Sequence, residues 1–296
     1  MRNQLLEKLP FSPIKEIDWS IFPWLELDYV EVEKGVSLRV FKIPKKKKQS
    51  KINIVVIPGL SSHFLGWIDL NHELSQIGDV YHIESREKSS AKYSKRKIDY
   101  SMETLARDIN NVVETYKLDK DGFYLFGDSF GSEMAAQSLK LGFHTPKGLV
   151  LISPTRTFAF SGWMKILFSI APFWLYYPLL PFLKFVLKRF RTDMKNDAGT
   201  YYLNSRNIVT GNPKRMKWCA MSLFRYSSSL DYSIITYPTY IIAASTDKMH
   251  SYQESVEIAA EIPNAIFEDV VYYHITHGRK VAKKVQDFIL GLENKK

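Results

Sequence analysis

The polar and apolar positions of this chain change period several times, and the changes outline its elements. Tyr29 to Glu33 and Ser37 to Ile43 alternate apolar with polar residues on either side of Lys34-Gly35, which predicts an antiparallel hairpin. Ile52 to Ile57, Gly148 to Ile152 and Tyr240 to Ala244 are short apolar runs, the pattern of strands covered on both faces. Asp79 to Ile83 and Phe267 to Tyr273 predict two further strands. Between the strands the period lengthens to that of a helix. Phe64 to Gln76 and Glu254 to Ile262 read as helices. In Ser101 to Tyr116, Leu105, Ile109, Val112, Val113 and Tyr116 form one stripe. In Arg279 to Leu290, Val281, Val285, Phe288 and Ile289 share a face. Strands alternating with helices predict an α/β fold built on a mostly parallel, doubly wound sheet.

The alternation stops between Thr157 and Ser233. Gly162 to Phe190 is dominated by Trp, Phe, Leu, Ile and Tyr and is broken by Pro172, Pro178 and Pro181. Its apolar length would reach across a bilayer. The prolines, the interior Lys165 and its place inside a domain argue against a span. The expected arrangement is a mainly helical cap, residues 157–233, inserted into a core made of residues 1–156 and 234–296. Such a segment either packs on the core and shapes an apolar pocket, or offers its aromatic face and Lys184, Lys188, Arg189 and Arg191 to an anionic lipid surface.

Composition narrows this picture in two ways. The 296 residues carry a net charge of +10, concentrated at Lys45 to Lys48, at Lys92 to Lys97 and at Lys184 to Arg191. The first two clusters fall in expected loops and read as solvated, so nucleic acid is not an expected partner. Cys219 is the only cysteine, which excludes an internal disulfide and suits a reducing compartment. The start of the chain has no apolar run of the kind a signal peptide carries, so the expected location is the cytoplasm, with or without membrane association.

The candidate chemistry lies at Gly127-Asp128-Ser129-Phe130-Gly131. Phe123 to Phe126 before it reads as a strand and Ser132 to Leu141 after it as a helix. A G-x-S-x-G between strand and helix is the setting of a nucleophilic serine held on a sharp turn. Glycines on both sides let strand and helix approach where a Cβ would clash. The alternative is a plain connection in which Ser129 caps the helix.

Together with Val55-Val56-Ile57-Pro58-Gly59-Leu60, the motif resembles the α/β-hydrolase superfamily over nearly the whole chain, and in particular its single-domain esterases and lipases with a helical cap. The strand ending in Pro58-Gly59 is similar to the family's His-Gly-x segment, with Pro58 in place of histidine. The resemblance implies an oxyanion hole from the backbone N–H groups of Leu60 and Phe130, and the change at Pro58 leaves those main-chain donors in place. It also implies the chain order serine, acid, histidine. Ser153 to Arg156 hold no carboxylate, whereas Asp247 follows the next strand, so Asp247 is the expected acid. The base is expected in Tyr273-His274-Ile275-Thr276-His277-Gly278. His277 precedes a glycine and lies at the family's distance from the strand. His274 opens the H-x-x-H pair and is the alternative. No third ligand and no intervening glutamate accompany that pair, so neither metal nor cofactor is expected. His63, His72, His82, His144 and His250 are expected to be structural or solvated, although His63 is close to the oxyanion segment.

The function implied is cleavage of a carboxylic ester with an apolar acyl group, a small-molecule or lipid-like substrate, through an acyl-enzyme. A thioesterase or acyltransferase would use the same residues. A hydrolase-like binding protein without turnover is the alternative from another class.

Overall fold

A computed structural model of the chain describes residues 18–46, 50–94, 97–158, 162–224, 226, 228 and 230–294. The first residues and the basic positions Lys47, Lys48, Lys95 and Arg96 lie outside the described residues.

The hairpin expected near the N-terminus forms from β1 (Glu26–Glu33) and β2 (Val36–Ile43). Gly35 turns it at a φ of 78°, a conformation that glycine adopts without a steric penalty. The other strands are β3 (Asn53–Ile57), β4 (Asp79–Ile83), the short β5 (Lys92–Tyr93), β6 (Tyr124–Asp128), β7 (Gly148–Ile152), β8 (Thr239–Ala243) and β9 (Ile266–Asp269). They make one sheet in the order β1-β2-β4-β3-β6-β7-β8-β9, with β5 paired to β2. From β4 to β9 all neighbours are parallel, and β2 joins β4 antiparallel. This is the mostly parallel α/β sheet that the alternation implied.

The helices that cover the sheet are α1 (Ile68–Leu74), α2 (Met102–Thr115), α3 (Phe130–Lys140), α8 (Tyr252–Glu261) and α9 (Arg279–Glu293). Ser101 caps α2 by accepting the N–H of Thr104, which explains why that helix starts where it does. β3, β6, β7 and β8 are buried at every position. Their side chains alternate between two cores. Val55, Ile57, Leu125, Leu149, Leu151 and Ile241 face α2, α3 and α8. Ile54, Val56, Phe126, Val150, Ile152 and Ile242 face α1 and α9. Removing each such side chain from water stabilises the fold by about 1.5–3 kcal/mol before chain entropy is counted.

One element is shorter than its pattern implied. The strand expected over Phe267 to Tyr273 ends at Asp269, whose Oδ1 accepts the N–H groups of Ser245 and Val271. Tyr273–His277 then form a single 3-10 turn leading into α9. Asp269 thus diverts the chain toward the sheet's carboxyl edge and presents both histidines there.

Between β7 and β8 the chain leaves the sheet, and the described residues there form four α-helices: α4 (Gly162–Ile170), α5 (Tyr176–Val186), α6 (Ala198–Thr210) and α7 (Pro213–Leu223). Pro181 is carried inside α5, and a π-turn over Leu187–Arg191 extends it. The helical character read from the sequence is therefore present. No described helix is long and apolar enough to cross a membrane.

Leu125 is fully buried at the centre of the sheet. Leu125→Ala is expected to lower unfolding stability by about 2–5 kcal/mol, read as a shifted urea midpoint.

Candidate active site

The site begins with three backbones forced together. β6 pairs with β3 on one side and β7 on the other, and α3 starts one residue after β6 ends. A Cβ on Gly131 would stand 2.1 Å from the Ile57 carbonyl oxygen, and one on Gly127 2.6 Å from the Gly131 oxygen. Both glycines are therefore required by the turn itself. Ser129 between them has φ 50° and ψ −111°, a conformation that costs a non-glycine residue about 1–3 kcal/mol. It is held there because its N–H donates to Ile152 O at 2.8 Å, while its carbonyl accepts the N–H groups of Ser132 (2.9 Å) and Glu133 (3.2 Å). Its side chain makes no capping bond, so the capping alternative fails. Ser129 is partly exposed between buried neighbours.

The expected oxyanion donors come to the same edge. Leu60 follows β3 in a loop where Ser62 N–H donates to Gly59 O at 3.0 Å and Ser61 takes a φ of 56°. A buried ion pair braces this loop. Lys88 Nζ lies 2.9 Å from Glu87 Oε1 and donates to Gly59 O at 2.7 Å, and Ser61 N–H donates to Glu87 at 3.2 Å. Among the described residues neither the Leu60 nor the Phe130 N–H has a hydrogen-bond acceptor. Two unspent main-chain donors beside a partly exposed hydroxyl, one of them at the positive end of α3, favour an anion forming there.

The acids and imidazoles are distributed differently from the expectation. Asp247 follows β8 as expected and its side chain is buried, but its Oδ2 meets His250 Nδ1 at 2.6 Å and its Oδ1 accepts Met249 N–H at 2.7 Å. Burial pushes the His250 imidazole down in pKa. The hydrogen bond and charge of Asp247, with Asp128 and Glu254 behind them, override that and hold it above its ordinary value. His250, expected to be structural or solvated, is thus the partner of the expected acid. The spacing of three residues between them was the available signal.

His274 is one third exposed, and its Nδ1 is hydrogen-bonded to Asp197 Oδ1. Asp197 is the N-cap of α6, also accepting Thr200 N–H and the Thr200 hydroxyl. Gly199 lies against the same ring: a Cβ there would be 2.8 Å from His274 Cγ. Nothing in the sequence links Asp197 to a residue 77 positions away. His277 is buried. Its Nδ1 is 2.9 Å from the Thr276 hydroxyl, its Nε2 is 3.4 Å from Asp128 Oδ2, and its ring is set edge-on to Trp67 at 4.2 Å. Tyr273 OH donates to Asp128 at 3.2 Å. Asp128, the variable position of the motif, therefore anchors the histidine turn to the elbow. No hydrogen bond joins Ser129 to an imidazole among the described residues.

The insertion closes on this edge at two further points. Asn207 Oδ1 accepts His63 N–H at 2.9 Å, and Arg215 donates to the carbonyls of Lys88 and Ser89. His63 uses Nδ1 to cap its own 3-10 turn, and burial holds its imidazole well below the ordinary pKa, followed by the charges of Arg206, Arg39 and Lys88. Among the described residues no group of three His, Cys, Asp or Glu could hold a metal ion.

A family model for the alpha/beta hydrolase fold matches residues 52–279. Among solved structures the chain is similar to an enol-lactonase from Burkholderia xenovorans LB400, with 16% identity, a TM-score of 0.71, and coverage of 89% of this chain and 100% of that one. It is also similar to a thermophilic esterase from Thermogutta terrifontis, with 14% identity, a TM-score of 0.70, and coverage of 90% and 99%. A bromoperoxidase from Bacillus anthracis shows the same likeness at 15% identity, a TM-score of 0.69, and coverage of 89% and 99%. No protein of curated function matches the sequence significantly.

Two outcomes follow. Gly131→Ala is expected to cost about 3 kcal/mol or more, read by thermal unfolding, because the Ile57 carbonyl cannot move without parting β3 from β6. The second concerns His250. A folded-state pKa above the ordinary value of about 6.5 means the native chain holds a proton that the unfolded chain releases. The stability this contributes is fully present below that value and is lost as pH rises through the folded pKa. Asp247→Asn is expected to remove that slope and to lower the His250 titration seen by NMR.

Proposed function

The chain belongs to the α/β hydrolase fold family, and we propose that it is a serine hydrolase cleaving a carboxylic ester with an apolar acyl group. The observation that carries this reading is the strained, uncapped Ser129 beside the free N–H groups of Leu60 and Phe130. Ser129 Oγ attacks the acyl carbonyl carbon and its proton passes to an imidazole. The carbonyl oxygen, now negative, is received by the two N–H groups. Collapse expels the alcohol, which takes the proton back, and water repeats the sequence on the acyl-enzyme to release the acid.

In this reading His274 is the base. A carboxylate fixes its Nδ1, it is partly exposed, and its Nε2 is left for the serine. His277, favoured by its distance from the strand, is buried and turned toward Asp128. This reading requires a hydrogen bond from Ser129 to His274 to form in the substrate complex, where catalytic hydrogen bonds commonly tighten. Asp197 orients His274 in this arrangement. Asp247, the acid implied by chain order, takes that role if the imidazole swings from the insertion toward β8. Residues 157–233 act as a helical cap over the site, and the substrate is a small ester or lipid-like molecule rather than a nucleic acid. The single buried cysteine fits a cytoplasmic protein.

A thioesterase or acyltransferase would share every step but the leaving group or the acceptor. One observation favours a binding protein without turnover: the Ser129 hydroxyl has no imidazole bonded to it.

Initial-rate assays with p-nitrophenyl butyrate and longer acyl esters test these assignments. Ser129→Ala and His274→Ala are each expected to lower kcat about 10³-fold or more, while folded His277→Gln retains most activity. Asp197→Asn is expected to fall further than Asp247→Asn. Equal activity in wild type and Ser129→Ala contradicts the serine mechanism. The reverse order of the two aspartates returns the acid to Asp247. Adding methanol separates transfer from hydrolysis by the ester product formed.

A further inference from the structure

Helix α5 is apolar on the side that faces solvent. Pro178, Pro181, Phe182 and Phe185 lie at the i, i+3, i+4, i+7 spacing of one stripe, Arg189 follows in the turn that extends the helix, and all are exposed. Leu179, Leu180, Leu183 and Val186 take the more covered side, and Leu187 is buried. A surface helix ordinarily sends charged residues outward, so this face inverts the usual pattern. Phe182 is 56% exposed, Phe185 57% and Phe190 60%; just upstream, Ile166, Ile170 and Trp174 are 63%, 76% and 60% exposed. Scattered apolar residues on a surface are ordinary, but a run of this density marks a surface with a partner.

The charge of the same segment says which partner. Residues 157–230 contain eleven Lys and Arg against Asp193 and Asp197 alone, so this quarter of the chain holds +9 of the net +10. Both aspartates have internal duties: Asp193 binds Asn196, and Asp197 binds Thr200 and His274. Between Glu133 and Asp193 the sequence contains no acidic residue. The bases stand beside the exposed rings. The Arg189 guanidinium lies 5.5 Å from the Phe190 ring and Lys214 Nζ 6.0 Å from the Phe173 ring. Lys188 and Arg191 are exposed on the turn that extends α5.

We propose that the outward face of α5 and its flanking turns docks on an anionic bilayer surface. The rings and aliphatic side chains enter the acyl boundary, and the basic residues meet lipid phosphates. The helix lies on the membrane and does not cross it. A nucleic acid would engage the bases but leave Ile166, Ile170, Phe182 and Phe185 without a complementary surface. Docking also has a geometric consequence. The insertion that carries this face packs on the histidine turn through Asp197 and Gly199, so the lipid-facing helices and the candidate site are in direct contact. The inference is independent of whether Ser129 turns over a substrate.

The test is co-sedimentation of the full chain with phosphatidylcholine vesicles and with vesicles containing about one third phosphatidylglycerol. Wild type is expected to bind the anionic vesicles at least about tenfold more tightly than the neutral ones, and less tightly at high salt. Phe182→Ser with Phe185→Ser is expected to reduce binding about tenfold or more. Lys188→Glu with Arg189→Glu is expected to reduce it at least about fivefold per residue. These side chains are exposed, so circular dichroism and the melting temperature should be unchanged, which separates lost binding from lost folding. Equal binding to both vesicle types overturns the proposal, as does wild-type binding by the phenylalanine pair variant. A salt-resistant dimer that the same pair dissociates also overturns it, by assigning the face to a second copy of the chain.

Discussion

No side chain can stand between residue 131 and the carbonyl of Ile57, and the candidate site is organised by that constraint. Contact between the start of α3 and the end of β3 sets Phe130 N–H beside the loop that carries Leu60. It also holds Ser129 at a positive φ, partly exposed between buried neighbours. The strain is maintained by the four strands buried on both faces around it, whose burial is many times larger than the cost of one unfavourable residue. The strained geometry is therefore a property of the sheet rather than of the loop.

Around that fixed point the charged groups are arranged as three carboxylate–imidazole contacts: Asp128 with His277, Asp197 with His274 and Asp247 with His250. They differ in what they can do. Asp128 is buried and fastens the histidine turn by accepting the Tyr273 hydroxyl, while the buried His277 Nε2, 3.4 Å from it, has no hydrogen-bond partner among the described residues. Asp247 and His250 are held within one loop. Asp197 and His274 bridge the insertion and the core, and of the three imidazoles this one is the most exposed. Burial makes each contact sensitive to the loss of a partner, because an unpaired charge would be left in a medium that solvates it poorly.

The sheet was legible in the sequence because period-two and period-3.6 patterns report directly on burial, and strands such as Gly148 to Ile152 fall where the runs of apolar residues do. The elbow was legible because steric exclusion writes itself as glycine on both sides of Ser129. The strand into Tyr273 was misjudged in length because apolar residues continue past Asp269, whose side chain ends the pairing by binding two backbone N–H groups. The imidazole partners were the least legible part. Pairing between distant loops depends on the directions of side chains, and no local pattern encodes that Asp197 reaches His274 while Asp247 turns to a residue three positions away. The insertion was legible as helical, but which of its faces met solvent required the packing of α5 against its neighbours.

The proposed mechanism requires Ser129 to be chemically distinct from the other serines of the chain. Incubation of the native protein with a fluorophosphonate, followed by peptide mapping in a mass spectrometer, measures this directly. The predicted result is a single adduct on the peptide containing Gly127 to Gly131, located at Ser129, and its disappearance when the chain is unfolded before labelling. An adduct on another residue of the folded protein, or equal labelling of native and unfolded chains, would contradict it.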